Sequence, residues 1–239
     1  MRFIVKNTTK INPLDLICPH HCRNCGKIGE ILCQCCKKDI TKDHQNHCPI
    51  CKQETNGVCE KCQTPLDAIW MAGWRDEKIG DLAKTYKYQA IRSLAPILAN
   101  IINDILPYIS GEVVVVPLPT ISKHIRMRGF DHTKLIAKNL TKFAERKTWR
   151  TAPVILRKNA TVQVGNNAEL RKKQAEEAYE INPKITINKE TTYLLLDDIW
   201  TTGSTITAAA NLLRKNGAEK VAAVVLAANR LSQDSREEN

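Results

Sequence analysis

Tyr193-Leu-Leu-Leu-Asp197-Asp198-Ile-Trp-Thr201-Thr202-Gly203-Ser204-Thr205 is the stretch on which the fold turns. Its apolar start reads as a buried strand, with two acids at the carboxyl end. Small hydroxylic residues then lead into an alanine-rich helix ending at Gly217, and an apolar strand follows from Val221 to Leu226. In a strand–loop–helix unit of this kind, backbone N–H groups and hydroxyls converge at the helix N-terminus, where the helix dipole favours a phosphate. A bare helix cap needs one polar residue and leaves the run Thr201 to Thr205 unexplained. Ligands of open α/β sheets bind beside the carboxyl ends of strands, which places Asp197 and Asp198 to accept bonds from sugar hydroxyls or to hold hydrated Mg²⁺. Neither G-x-x-x-x-G-K-[ST] nor G-x-G-x-x-G occurs, so no other nucleotide motif competes.

Working outward, Ile79, Leu82, Ala83 and Tyr86, then Leu94, Ile97, Leu98, Ile101, Ile102 and Ile105, recur at helical spacing. The chain past Pro65 therefore reads as helices down to Gly111. Val113 to Val116 is a short apolar strand closed by Pro117 and Pro119, where a loop must begin. Residues 132 to 145 return to helical periodicity, and Val154 to Leu156 is the next strand. Strands alternating with helices predict an α/β fold, a mostly parallel sheet flanked by helices.

All ten cysteines lie between Cys18 and Cys62, and eight form C-x-x-C pairs: Cys22/Cys25, Cys33/Cys36, Cys48/Cys51 and Cys59/Cys62. The two-residue spacer turns both sulfurs toward one ion, and four thiolates close a tetrahedral Zn²⁺ shell that leaves no catalytic position open. Seven residues separate the first two pairs and seven the last two, so two successive structural zinc sites are the simplest wiring; interleaved wiring uses the same residues. His20, His21, His44 and His47 are near enough to substitute as ligands, and Cys18 and Cys35 are surplus. A disulfide framework is the rival, disfavoured in a reducing cytosol, and a redox C-x-x-C is expected singly. Few large apolar residues occur from 18 to 62, so metal replaces the missing core there. The domain expectation is a zinc-binding segment over 1–66 and an α/β domain over 67–239.

The 239 residues are 43% hydrophobic and 26% charged, a globular composition. No run reaches the roughly 18 apolar residues of a membrane span. The N-terminus lacks a secretory pattern, which predicts work in the cytoplasm. Residues 120 to 173 hold 14 basic and 3 acidic side chains, which accounts for the whole net charge of +11. One basic segment predicts a site for phosphates or nucleic acid rather than a merely solvated surface. Eight thiolates outweigh two Zn²⁺, so the finger adds no positive surface beyond its own lysines. Arg126 and Arg128 are the candidates for pyrophosphate or nucleic-acid contact, with Lys87 the weaker one, because arginine's planar fork suits phosphate oxygens. Residues 157 to 175, with Arg157, Lys158, Gly165, Asn166, Asn167 and Arg171 to Lys173, read as a mobile loop suited to closing over a ligand or following a phosphate backbone. Aromatics are only 5% of the chain, so an extended stacking platform is not evident, although Phe130, Trp149 and Trp200 could each offer a ring. Neither His124 nor His132 has an identifiable partner for acid–base work, and no catalytic base can be named.

The residues from Tyr193 to Thr205 resemble the signature of the phosphoribosyltransferase family: four apolar residues, two acids, then a Thr/Gly/Ser loop. The resemblance implies binding of 5-phosphoribosyl-1-pyrophosphate (PRPP), with Asp197 and Asp198 on the ribose hydroxyls, Thr201, Thr202, Gly203, Ser204 and Thr205 around the 5-phosphate, and Mg²⁺ attending the pyrophosphate. A wider pattern runs from the paired C-x-x-C motifs through Lys87-Tyr88, Pro117-Leu-Pro119, Arg126-Met-Arg128-Gly129-Phe130-Asp131 and Leu156-Arg157 to the loop. It is similar to the ComF-type competence proteins. Asp131 and Gln174 stand where that family commonly has Asn, polar positions suited to contacting an acceptor. This likeness implies a cytoplasmic protein, peripheral to the inner membrane, that handles incoming single-stranded DNA during natural transformation beside other DNA-uptake proteins. Two other functions fit the same residues: a metabolic phosphoribosyltransferase acting on a base or small amine, and a non-catalytic, zinc-dependent nucleic-acid adaptor.

Overall fold

The computed structural model describes residues 20–41, 47–55, 57, 59–158 and 178–230. Cys18, His44 and positions 159–175 of the expected loop, Gln174 among them, lie outside the described residues. Two compact units are distinguishable, Met1–Lys38 and Asp39–Asn239. Helix α1 spans Gln34–Thr41. In the larger unit the order is β1 (Ala68–Met71), α2 (Lys78–Tyr88), α3 (Leu94–Ile105), β2 (Val113–Pro117), α4 (Ser122–Arg128), α5 (His132–Leu140), β3 (Trp149–Thr151), β4 (Ile155–Arg157), β5 (Tyr179–Ile181), β6 (Thr192–Trp200), α6 (Ser204–Lys215) and β7 (Lys220–Ala228).

Five strands form one parallel sheet in the order β1-β7-β6-β2-β3, as the alternation of strands and helices predicts. Its strands are apolar on both sides because both faces are covered. Val114, Val116, Tyr193, Leu195, Val221, Ala223 and Val225 turn to one face and pack with Ile206, Ala209, Ala210 and Leu213 of α6. Helices α2, α3 and α5 pack against the sheet as well, and Val113, Val115, Leu194, Ala222 and Val224 are fully or almost fully buried. Strands β4 and β5 stand apart as an antiparallel pair.

Several elements depart from the sequence reading, among them α4 in the stretch after Pro119 expected as loop, and the strands β3 and β5. The residues after Pro65 do not go straight into helix: Ala68–Met71 is an edge strand parallel to β7, with all four residues buried. Four apolar residues carry no periodicity that separates strand from helix, and β7 supplies the pairing that decides.

Caps fix the segment after β2. Asp131 is the N-cap of α5, its Oδ1 accepting the Lys134 N–H at 3.2 Å and the Thr133 hydroxyl at 3.0 Å. The position expected to touch an acceptor therefore has a structural use that Asn and Asp serve equally well. Gly129 ends α4 at φ 75°, donating to the carbonyl of Ile125 at 2.8 Å.

Candidate functional site

In this sheet the strand order reverses between β2 and β6: the chain passes from β2 outward to β3, and from β6 the other way to β7. An open sheet splits at such a point, leaving a crevice outside the carboxyl ends of the two strands. A cleft of about 180 Å³ lies there, lined by Pro119, Thr120 and Ile121 after β2, by Asp197, Asp198 and Thr205, and by Lys87, Arg128 and His132.

Because side chains alternate across a strand, the adjacent acids meet different neighbours. Asp198 is buried, and its Oδ2 receives the Lys87 ammonium at 2.6 Å and the His132 Nε2–H at 3.1 Å. Burial by itself would push this carboxyl up, but the imidazole and the ammonium outweigh it and hold Asp198 well below the usual carboxylate range. Burial and the neighbouring Asp198 charge push Asp197 well above that range, while its Oδ1 accepts the Asp198 N–H at 2.8 Å. Of the two carboxyls, Asp198 carries the charge and Asp197 holds the proton more readily.

His132 is only 4% exposed. Its Nδ1 meets Arg128 Nη1 at 2.9 Å and the Thr120 hydroxyl at 3.3 Å, and its carbonyl accepts the buried Tyr86 hydroxyl at 2.9 Å. The sequence reading left His132 without a partner. The structure corrects that, because α5 and β6 bring together residues 66 positions apart. His124, exposed on α4, also lines the cleft, and slight desolvation together with Arg128, Lys87 and Lys123 holds its imidazole below the usual range. On the opposite side the Arg157 guanidinium lies over the Tyr179 ring at 5.6 Å and donates to its hydroxyl at 3.2 Å.

The expected site residues thus fall into two groups. Lys87, Arg128, Asp197, Asp198 and Thr205 line the cleft; Arg126 does not and lies exposed on α4. Thr201, Thr202 and Ser204 are exposed in the loop entering α6, where the Thr202 hydroxyl donates to Ser204 Oγ at 3.0 Å. Phe130, Trp149 and Trp200 are buried and present no stacking face. Trp200 sets the loop: Gly203 adopts φ 76°, and a Cβ there would lie 2.1 Å from Trp200 Cζ2. Gly203→Ala combines an unfavourable backbone region with a steric collision and should cost about 3 kcal/mol. Thermal melting checks this; a melt unchanged from the parent would show that the loop relaxes freely.

The cysteines form two sets, Cys22/Cys25/Cys33/Cys36 and Cys48/Cys51/Cys59/Cys62, with all sulfurs of a set within 4.8 Å of one another. This is the successive wiring. A tetrahedral Zn²⁺ with bonds of about 2.3 Å requires sulfurs about 3.8 Å apart. The shortest separations are 3.7 Å for Cys25–Cys33, 3.6 Å for Cys51–Cys59 and 4.0 Å for Cys48–Cys62, which fit that edge and are far from a disulfide. The two knuckles repeat one geometry, with Gly26 N–H donating to the Cys22 carbonyl at 2.8 Å and Lys52 N–H to that of Cys48 at 2.9 Å. Burial opposes ionisation of Cys22, yet the N–H groups of Cys33, Cys25 and Asn24 at its sulfur bring the thiol down to about 6. Both clusters could hold a metal ion, and Cys35 stays exposed outside them.

A family model described as the phosphoribosyl transferase domain matches residues 136–239. Competence protein F of Haemophilus influenzae is 25% identical over 84% of this chain and 92% of its own length. Residues 136–239 thus match a phosphoribosyltransferase domain, and most of the chain is similar to competence proteins of the ComF type. ComFC of Bacillus subtilis is 24% identical, over 80% of this chain and 81% of its own. Glutamine PRPP amidotransferase from B. subtilis shares 14% identity at a TM-score of 0.38, over 60% of this chain and 30% of that one, a likeness too remote to bear on function. Among the described residues, no helix is long and apolar enough to cross a membrane.

Proposed function

We propose that this protein binds PRPP in the cleft between β2 and β6 and acts in natural transformation beside single-stranded DNA in the cytoplasm. It would do so with a zinc-binding segment over 1–66 and a phosphoribosyltransferase-like domain over 67–239. The supporting observation is the polarity of the cleft, in which acids on β6 face the cations Lys87 and Arg128, with the loop into α6 alongside. On this reading Asp197 and Asp198 take the ribose hydroxyls, the loop from Thr201 to Thr205 takes the 5-phosphate on N–H groups of α6, and Lys87 and Arg128 take the pyrophosphate. The acid pair offers oxygen donors of the kind Mg²⁺ accepts, with Lys87 and His132 satisfying one oxygen of Asp198 and leaving the other for coordination or a bridging water. When bound with PRPP, Mg²⁺ supplies positive charge for the leaving pyrophosphate. Transfer would break the bond from ribose C1 to the pyrophosphate oxygen, which departs with the electron pair, while an acceptor nucleophile bonds to C1.

Nucleic-acid contact falls to α4, none of whose residues is buried and which carries Lys123, Arg126 and Arg128 beside the exposed Met127. Arg126→Glu should weaken single-stranded DNA binding several-fold at fixed salt and leave PRPP affinity unchanged, because Arg126 stands outside the cleft. Titrations of both ligands check this; equal DNA affinity would assign the basic segment another purpose.

A second reading, PRPP binding without transfer, is favoured by the engagement of both ring nitrogens of His132, which leaves that imidazole no lone pair for an acceptor's proton. Pyrophosphate release from PRPP, measured with and without DNA or small acceptors, separates the two: release that depends on an acceptor makes the protein a catalyst.

A further inference from the structure

We propose that His132 is a positioning residue, whose tautomer is set by Arg128 and whose Nε2–H thereby holds the ribose-binding carboxylate of Asp198 in place. The inference rests on the PRPP reading of the cleft. A guanidinium has only donors, so Arg128 at 2.9 Å from Nδ1 makes that nitrogen the acceptor. The imidazole is then the tautomer protonated at Nε2, and this N–H points at Asp198 Oδ2. Thr120 approaches the same Nδ1 from the loop after β2 at 3.3 Å, so the lone pair has a second donor nearby. The Tyr86 hydroxyl fastens the backbone of His132 from α2, and Lys87 reaches the same Asp198 oxygen from the end of that helix.

Every polar atom of the ring is thus committed, in a side chain 4% exposed. A buried histidine that served packing alone would need neither arrangement, and an apolar side chain of similar volume would spare the cost of burying two ring nitrogens. The consequence is directional. With Oδ2 engaged by Lys87 and His132, the carboxylate of Asp198 is restrained, which orients its second oxygen for the ligand. Preorganisation of this kind appears in affinity rather than in the fold.

The acceptor for Arg128 and the donor to Asp198 can be separated by amide side chains. His132→Gln places an N–H donor near the position of Nε2 and can still reach Asp198. His132→Asn places its carbonyl near Nδ1, accepting from Arg128 but falling short of Asp198, and His132→Leu does neither. Calorimetric titration of the full-length, metal-loaded protein with PRPP and Mg²⁺ should give affinity within about threefold of the parent for Gln, and losses of about tenfold or more for Asn and Leu, with cooperative melting retained in all three. Equal affinity in all variants overturns the role, and so does an equal loss in all three, which would mean that ring volume matters and not the donor. A variant that no longer melts cooperatively would make His132 a packing residue and overturn the role too. Failure of the parent protein itself to bind PRPP has a different signature: it removes the reading of the cleft, and the positioning role falls with it.

Discussion

Asp197→Asn and Asp198→Asn should each abolish PRPP binding while moving stability in opposite directions. Asp198 is an ionised, buried acceptor for Lys87 and His132, so an amide there leaves the Lys87 ammonium uncompensated in a partly buried place. The cost should be about 2 kcal/mol, less than for a fully buried pair because Lys87 keeps some solvent. Asp197 is the reverse case: burial and the charge next door make its ionised form unfavourable, so removing the charge should raise the melting temperature at neutral pH. The pH dependence carries the same signs. The folded-state pKa of Asp198 lies below its ordinary 3.8, so its contribution is fully present above that value and is lost as the pH falls through the depressed one. The folded-state pKa of Asp197 is raised, so stability is lost as the pH climbs from 3.8 through the raised value, and the gain from Asp197→Asn should vanish under acid conditions. Melting curves from neutral pH down to about 2, run beside PRPP titrations, test both parts. Retained PRPP affinity in either variant would remove the acids from the site, and melts shifted the same way at neutral pH would refute the division of charge between them.

The second large effect concerns the metal clusters, which should differ in what they hold up. Cys48/Cys51/Cys59/Cys62 belongs to the larger unit and is tied to its core. Ile50 between the first two ligands packs on the core cluster. Lys52 lies 5.2 Å from the Trp74 ring centre, and His47 meets that ring edge-on at 5.9 Å. Gly57 accepts the Ile69 N–H at 2.7 Å, which covers part of the exposed edge of β1. Those contacts require a knuckle conformation that few apolar residues could maintain without metal. Cys48→Ser with Cys51→Ser should therefore destabilise the unit Asp39–Asn239 by at least about 2 kcal/mol, a fall of roughly 4–8 °C in its melting temperature. Cys22→Ser with Cys25→Ser, in the other unit, should leave that transition nearly where it was. Differential scanning calorimetry with zinc stoichiometry for each variant checks this. If both pairs lowered the main transition equally, the special attachment of the second cluster would be refuted.

The match of residues 136–239 to a phosphoribosyltransferase domain covers the strand, acids, loop and helix from which the fold was legible. That unit could be read because its evidence is local: an apolar run, two acids and a glycine next to hydroxylic residues all act within a dozen positions. Gly203 shows where local evidence stops. Its place in the loop follows from sequence, but the Trp200 ring that forbids a side chain there depends on the packing of β6.

By itself the sequence determined the α/β alternation, the acids at a strand end, the hydroxylic loop before a helix and the cysteine pairs, because each is set by spacing along the chain. It also placed Lys87 and Arg128 among the candidate cations, though without distinguishing Arg128 from Arg126. Only the tertiary structure decided which strands flank the cleft, that Ala68–Met71 completes the sheet, and that Phe130 and the tryptophans are buried. It alone joined Arg128 and His132 to Asp198. Contacts of that kind arise when a sheet brings distant segments to one edge, and their strength comes from burial, which no spacing rule records.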